Sequence, residues 1–241
     1  MGAKIFSVSR RGKNILIHLS DNRLLLVHQK MTGHLLFGRW ALGAGRWAGS
    51  TPKLREKTNN YIHFLLKFKG GSMLALSDVR KFSKILFGKS DEISALPDLS
   101  GLGPDFLQKI SLADFKRIVT SSRRPIKTVL LDQTFFAGLG NIYADEVLWL
   151  SRVNPKKPAA SLKNTELKSI WENVRPLLIK SIRLGGASMS DYRHPDGARG
   201  KYAEVRLVYR QEGEHCPRCR VKIVRQKIGA RSAHFCPSCQ K

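Results

Sequence analysis

Residues 214–241 read EHCPRCRVKIVRQKIGARSAHFCPSCQK, and their four cysteines indicate how the carboxyl end of the chain folds. Cys216 and Cys219 form one C-x-x-C pair, and Cys236 and Cys239 form a second pair after sixteen intervening residues. Each pair presents two thiolates from one tight turn, and four thiolates complete the tetrahedron that Zn²⁺ prefers in structural sites. The spacing therefore predicts one structural zinc ion, with two disulfides or four free thiols as the alternatives.

The residues between the two cysteine pairs predict a β-hairpin. Residues 221–228 have the composition of a strand, Gly229 and Ala230 that of a turn, and Arg231–Phe235 that of the return strand. From Arg210 onward, eight Lys and Arg residues stand against two acids. We therefore expect the zinc to hold a basic hairpin in shape.

Net charge narrows the classes of function. The chain of 241 residues has 43 Lys and Arg against 18 acids, a formal charge of +25. Residues 1–90 alone carry seventeen Lys and Arg against three acids. A domain this basic usually binds a polyanion, most often nucleic acid, while a solvated surface and an anionic membrane are the alternatives. No apolar run of membrane-spanning length, secretory signal or lipidation motif is visible, so we expect a protein of a reducing cytoplasm.

The first ninety residues predict a β-sandwich or barrel, because short β-rich runs alternate with turn signals. Between them, residues 42–60 are rich in Gly, Lys and Arg and are predicted to form a long surface loop. The predicted strands are 4–9, 14–19, 23–28, 61–68, 72–76 and 82–87.

A helical region follows a predicted connector over 88–110. Ser111 and Asp114 form a capping box that opens a helix to about residue 120. Further helices are predicted over 125–133, 141–152 and 165–184, the last with a kink or break at Pro176. A strand is predicted over 202–209. The predicted domains are 1–95 for a partial β-sandwich, 96–110 for a linker, 111–209 for a helical domain with a loop at 186–201, and 210–241 for the zinc finger.

The turn before the third of these helices predicts a phosphate site. Gly138 and Gly140 let the backbone turn tightly and approach a ligand closely, and Asn141 begins the helix. The amino end of a helix carries unpaired N–H groups and a positive dipole end, which bind phosphate. An ordinary packing corner between two helices would have the same sequence, so the charge of the chain is what favours phosphate binding.

Besides the cysteine pairs, the chain carries several short motifs in a fixed order. They are RRGK (10–13), HQKMTGHL (28–35), DVRKF (78–82), residues 101–104, LDQTFFAGLGNIYADEVLW (131–149), residues 154–155 and GGASMSDYRHPDGARGKY (185–202).

This order of motifs resembles the formamidopyrimidine-DNA glycosylase / endonuclease VIII family of base-excision repair enzymes, and the resemblance spans nearly the whole chain. Residues 131–149 are similar to the family's helix–two-turn–helix segment. The resemblance implies an α+β multidomain fold with a truncated N-terminal β-sandwich, a helix–two-turn–helix domain and a C-terminal zinc β-hairpin finger.

Several basic and polar residues gain an expected role from the resemblance. Asn141 and Arg231 match residues that contact a phosphate beside the damaged nucleotide. Lys13 matches a lysine beside the active site that also binds phosphate, and His28 is expected to contact DNA. Lys127 matches a basic residue that lines the damaged-nucleotide side of the site.

Three further residues resemble the family's base-gap wedge. Met31 matches the residue that fills the space left by the flipped base, Arg80 the one that pairs with the orphaned base, and Phe82 the one between base pairs. Plain core packing is the alternative for Met31 and Phe82. Residues 186–201 resemble the lid over the flipped base, and their polar, Gly-containing composition predicts a mobile loop.

The resemblance implies removal of oxidised purines, namely 8-oxoguanine and formamidopyrimidines, with strand cleavage at the abasic site. The expected partner is double-stranded damaged DNA, with no membrane, and the protein is expected to act as a monomer at the nucleoid of a bacterium. A non-catalytic damaged-DNA-binding protein is the alternative function, and a zinc-ribbon RNA-binding protein is a more distant one.

The amino terminus departs from the family pattern. Family members begin with a proline that supplies the nucleophilic amine and a glutamate that acts as acid and base, whereas this chain begins MGAKIFSVSRRGK. We expect an amino-terminally incomplete copy of an active enzyme. A short form that binds DNA without cutting it, and replacement of the amine by that of Gly2 after removal of Met1, are the alternatives. Smaller departures are Lys30 and Ser83 for glycine, Val79 for proline and Lys81 for arginine.

Overall fold

The computed structural model describes residues 2–43, 45–189 and 191–241, which form two compact units. The first, the β unit, comprises the residues through Ile93 together with Ser181–Glu204. The second, the helical unit, comprises Ser94–Lys180 and Val205–Lys241. The segment 186–201 thus belongs to the β unit, whereas the sequence assigned it to the helical domain. Its hydrogen bonds explain the difference, since the Phe37 N–H donates to the Pro195 carbonyl at 2.6 Å.

Antiparallel strands build the β unit. One sheet has the order β1-β2-β3-β9, a second has the order β4-β8-β7, and β5 and β6 form a separate hairpin. The strands are β1 Ile5–Arg11, β2 Asn14–Leu19, β3 Arg23–His28, β4 His34–Gly38, β5 Trp40–Gly43, β6 Arg46–Gly49, β7 Ile62–Lys67, β8 Met73–Ser77 and β9 Lys84–Lys89.

The core of the β unit lies between its two larger sheets. Ile17, Leu25 and Val27 come from the first sheet and pack with Leu35 and Leu76 from the second. Burying each of these side chains contributes about 1.5–3 kcal/mol. Two sheets joined by one apolar layer form the predicted β-sandwich.

The prediction of a long loop over 42–60 is wrong. The segment holds the end of the β5–β6 hairpin and two short 3₁₀ helices, Lys53–Arg55 and Lys57–Asn59. Leu54 is buried in one cluster with Trp40, and Trp47 packs against the same cluster, so two apolar side chains fix this glycine-rich stretch to the sheet. Strand β4 was also not predicted.

Among the described residues, α-helices occur at six places, and none has the length and apolarity needed to cross a membrane. Two short helices lie in the predicted connector. The N-cap of the predicted capping box is confirmed, since the Ser111 hydroxyl accepts the Asp114 N–H at 3.0 Å. The helices are α1 Ser90–Ala95, α2 Pro97–Ser100, α3 Leu112–Thr120, α4 Ile126–Leu131, α5 Asn141–Leu150 and α6 Asn164–Arg183.

Two local predictions in the helical region need correction. Helix α6 continues through Pro176, so the predicted break is wrong, and a kink there stays a prediction. The predicted strand over 202–209 is absent, and the segment starts with a 3₁₀ helix, Tyr202–Glu204. A buried carboxylate replaces the missing strand partner, because Glu146 accepts the backbone N–H groups of the last three residues, 207–209, at 2.8–2.9 Å.

The zinc-finger hairpin consists of β10 Val224–Ile228 and β11 Arg231–Phe235. Gly229 adopts a φ of 57° in the two-residue turn, as that position requires. The first strand begins three residues later than predicted, because residues 221–223 pair with the first cysteine turn instead. The Ile223 N–H, for example, donates to the Glu214 carbonyl at 2.9 Å.

Candidate nucleic-acid interface

The four cysteines of the helical unit come together as predicted. Their sulfur atoms all lie within 4.8 Å of one another, with Cys216 and Cys239 at 4.0 Å and Cys219 and Cys236 at 3.4 Å. Four thiolates at about 2.3 Å from a zinc ion stand about 3.8 Å apart, so this cluster fits a tetrahedral site. A disulfide needs about 2.05 Å between sulfurs, and the described cysteines are unbridged. The cluster is a single structural zinc site.

Trp149 packs against the cysteine cluster from α5. Its indole N–H points at the Cys216 sulfur at 3.4 Å, and the Arg218 guanidinium lies 4.0 Å from the centre of its ring. Burial raises the pKa of the Cys216 thiol, but hydrogen bonds from Trp149 and nearby backbone N–H groups outweigh it and lower the pKa to about 6. These hydrogen bonds therefore favour the thiolate form in which a cysteine binds metal.

Asn141 and Arg231 belong to the same side of the helical unit. Gly138 has a φ of 99°, which turns the chain so that α5 begins at Asn141. The Asn141 amide donates to the carbonyl of Ser232, the neighbour of Arg231, at 3.2 Å. An amide nitrogen has two hydrogens, so Asn141 can bond the hairpin and a ligand together. The Arg231 side chain is exposed at the hairpin turn.

Lys127 lies in the same region but is not at the surface. Its side chain is 0% exposed, and its ammonium donates to the Asp145 carboxylate and to the Ser232 carbonyl. Burial lowers the pKa of Lys127, and the charge of Asp145 opposes that effect. Direct contact of Lys127 with DNA stays a prediction, and its burial favours another role.

Arg80 contacts both of the other residues of the predicted wedge, Met31 and Phe82, in the β unit. Met31 is 62% exposed and Phe82 is 54% exposed, so neither is a core residue. The Arg80 guanidinium lies 4.6 Å from the centre of the Phe82 ring and 3.7 Å from the Met31 sulfur. We call these three residues the wedge cluster.

One buried carboxylate, Asp78, holds the two loops that carry the wedge cluster. It accepts the Thr32 hydroxyl on the Met31 loop. On its own loop it accepts the Arg80 N–H at 3.1 Å, and the N–H and hydroxyl of Ser83 at 2.7 and 2.8 Å. Burial raises the pKa of Asp78, but these hydrogen bonds outweigh it and lower the pKa to about 2. Asp78 was not a candidate in the sequence, because its partner Thr32 is 46 residues away.

Lys13 and His28 lie at one end of the four-stranded sheet. Lys13 is exposed in the turn before Asn14, and Asn14 pairs with His28 across β2 and β3. Lys84 begins β9 and pairs with His28 from the other side, and nothing in the sequence beyond its charge marked it as a candidate. Together they form a basic group at this sheet end.

Residues 186–201 contain no helix or strand among the described residues, and Ser190 lies outside those residues. The second half of the loop is held to the β unit. The buried Arg193 guanidinium pairs with the Glu56 carboxylate at 3.0 Å. At the base of the loop, the Gly200 N–H donates to the Ser188 hydroxyl at 2.7 Å. The mobility of the loop stays a prediction.

Three family models match separate parts of the chain. They are the formamidopyrimidine-DNA glycosylase N-terminal domain over residues 1–85, the formamidopyrimidine-DNA glycosylase H2TH domain over 102–193, and the zinc finger found in FPG and IleRS over 213–241.

Similar proteins cover the chain from end to end. A formamidopyrimidine-DNA glycosylase of Pelotomaculum thermopropionicum is 38% identical over 99% of this chain and 82% of its own length. The crystal structure of MutM (Fpg) from Thermus thermophilus has a TM-score of 0.83 at 35% identity, covering 99% of this chain and 84% of that one. Lactococcus lactis Fpg in complex with abasic-site DNA has a TM-score of 0.85 at 32% identity, covering 100% and 83%. The chain therefore belongs to the formamidopyrimidine-DNA glycosylase family, whose members are DNA glycosylases of base-excision repair.

Proposed function

We propose that this protein binds duplex DNA at oxidised purines, 8-oxoguanine and formamidopyrimidines, removes the base and cleaves the strand at the abasic site. The observation that carries the proposal is the wedge cluster, in which the exposed Arg80 contacts both the exposed Met31 and the exposed Phe82 on loops fixed by Asp78. Exposed apolar side chains on fixed loops are what is needed to enter a base stack. A related Lactococcus lactis protein has been crystallised with Fapy-dG DNA, which supports this class of substrate.

The wedge cluster accounts for access to the sugar. Chemistry at the anomeric carbon of a stacked nucleotide requires that the nucleotide leave the helix, at a cost of a few kcal/mol. Phe82 would enter between base pairs, Met31 would fill the space left by the base, and Arg80 would bond the orphaned partner. A flexible apolar loop would lose entropy on insertion, whereas loops held by Asp78 lose less.

Each unit would contribute its own phosphate-binding residues. In the β unit, Lys13 and His28 supply donors at the sheet end. In the helical unit, Asn141 stands at the amino end of α5 and Arg231 at the hairpin turn, where N–H groups and a guanidinium suit a phosphate. We expect the protein to act as a monomer at the bacterial nucleoid, because each of these residues belongs to the one chain and the partner is chromosomal DNA.

The proposal is tested by incubating the protein with duplexes that contain 8-oxoguanine or an abasic site, followed by borohydride reduction. A covalent adduct and free 8-oxoguanine, both absent with undamaged duplex, are expected. Lesion-selective binding without adduct or base release would assign the protein to the non-catalytic alternative. Equal affinity for damaged duplex, undamaged duplex and structured RNA would contradict both functions.

A further inference from the structure

One face of α5 holds the zinc finger in place. Asn141, Asp145 and Trp149 recur every four residues, so their side chains share that face. Asn141 donates to the Ser232 carbonyl at 3.2 Å, and Asp145 accepts the backbone N–H of His234 at 2.9 Å. Trp149 reaches a zinc-ligand sulfur at 3.4 Å. These hydrogen bonds thus fix the hairpin to α5, at whose amino end phosphate binding is proposed.

Lys127 closes this arrangement from α4. Its buried ammonium forms an ion pair with Asp145 and also donates to the Ser232 carbonyl at 2.5 Å. The second carboxylate oxygen of Asp145 bonds the His234 ring at 3.0 Å as well as the backbone. We call Lys127, Asp145 and the Ser232 carbonyl the hairpin clamp.

The Ser232 carbonyl is where the clamp meets the phosphate-binding residues. It accepts both the Lys127 ammonium and the Asn141 amide, which a carbonyl oxygen with two lone pairs can do. Arg231 precedes Ser232, so its backbone position relative to Asn141 is set at this carbonyl. Loss of the Lys127 bond would release the hairpin turn that carries Arg231.

We propose that Lys127 and Asp145 are positioning residues, which fix the spacing between Arg231 and Asn141 so that both can hold one stretch of DNA backbone. The inference rests on the proposed function, because it assumes that Arg231 binds DNA. It replaces the expectation that Lys127 lines the nucleotide site, since a buried ammonium with two protein partners is not presented to a ligand.

A double-mutant cycle tests the inference. The variants are Lys127→Met, Arg231→Ala and the two together. Affinity for a duplex with a non-cleavable abasic analogue is measured over a range of salt concentrations. Because Lys127 acts through Arg231, each single variant should lose about tenfold in affinity, and the double variant little more. The slope of log K against log salt should fall by about 0.9 in Arg231→Ala and by no more in the double variant.

A direct contact by Lys127 predicts a different result. The losses would then multiply, and the slope would fall by about 1.8 in the double variant. That outcome, or an unchanged affinity in Lys127→Met, overturns the inference. If wild-type protein shows no preference for the lesion or Arg231→Ala has no effect, it is the proposed function that fails.

Two controls separate positioning from folding and from net charge. Lys168→Met removes one exposed lysine of an i,i+4 pair with Glu172 and should bind as wild type does. If Lys127→Met unfolds the protein because Asp145 is left buried without the ammonium that pairs with it, the double variant Lys127→Met/Asp145→Asn removes both charges and restores the fold. This pair in the Arg231→Ala background repeats the cycle, and additive losses there also overturn the inference.

Discussion

At the scale of single residues, Asp78 sets the position of the wedge cluster. Hydrogen bonds to an ionised carboxylate are about twice as strong as those between neutral groups, and Asp78 accepts four of them from two loops. Ser83, which stands where the resemblance implies glycine, donates two of these hydrogen bonds. Its hydroxyl also fills the space beside Gly33. A Cβ on Gly33 would lie 1.8 Å from that hydroxyl oxygen. The same Cβ would lie 2.6 Å from the Gln29 carbonyl oxygen, so the backbone as well as Ser83 excludes a side chain at Gly33.

Asp78→Asn should destabilise the β unit by about 1–3 kcal/mol at neutral pH, because an amide nitrogen would face donors that need an acceptor. The pKa of Asp78 is lowered to about 2, so its carboxylate stabilises the fold fully above about pH 4 and loses that effect as the pH falls towards 2. Urea unfolding between pH 7 and pH 2 checks this. Wild type should lose its advantage over the variant in that acid range, and a constant difference would contradict the role of the charge.

Phe82→Ala should weaken binding to a lesion duplex by about tenfold with little loss of stability, since the ring is exposed in the free protein. Phe87→Ala is the matched control, because Phe87 is 55% exposed on β9 and lies outside the wedge cluster. Fluorescence anisotropy with lesion and undamaged duplexes separates the two variants. Equal losses for both would show that Phe82 has no special role.

At the scale of elements, helix α5 and the zinc hairpin depend on each other. Removal of zinc by a chelator should unfold β10 and β11. A finger this small has little hydrophobic core, so the bonds between zinc and the four thiolates supply most of its folding free energy. Hydrogen exchange should then rise at the amides of residues 224–235 and stay slow in α3, whose Phe115 is buried against Phe106 and Phe136. Continued protection of the hairpin without metal would contradict a structural zinc.

Elements with strong local signals could be predicted from the sequence, and the others could not. Strands β2 and β3 match their predicted bounds, because each is a short run rich in apolar residues between clear turn signals. The predictions of a loop over 42–60 and of a strand over 202–209 were wrong. Both segments are held by contacts of Leu54 and Glu146 with residues distant in the chain. The cysteine spacing predicted the metal site, whereas the hairpin clamp joins residues up to 105 positions apart.

At the scale of the whole molecule, the charge of +25 predicts binding that depends strongly on salt. Each phosphate neutralised by a lysine or arginine adds about −0.9 to the slope of log K against log salt. Lys13→Gln should make that slope shallower by about 0.9 for damaged and undamaged duplex alike. A loss confined to the damaged duplex would mean that Lys13 recognises the lesion and not the backbone.

The central claim is that this protein opens duplex DNA at a damaged base. It is tested most directly by the fluorescence of 2-aminopurine placed opposite a non-cleavable abasic analogue, which rises when the base is unstacked. We expect a rise on binding to this duplex, a much smaller rise with Phe82→Ala, and none with an undamaged duplex that is fully bound. Saturated binding to the lesion duplex with no change in fluorescence would contradict the claim.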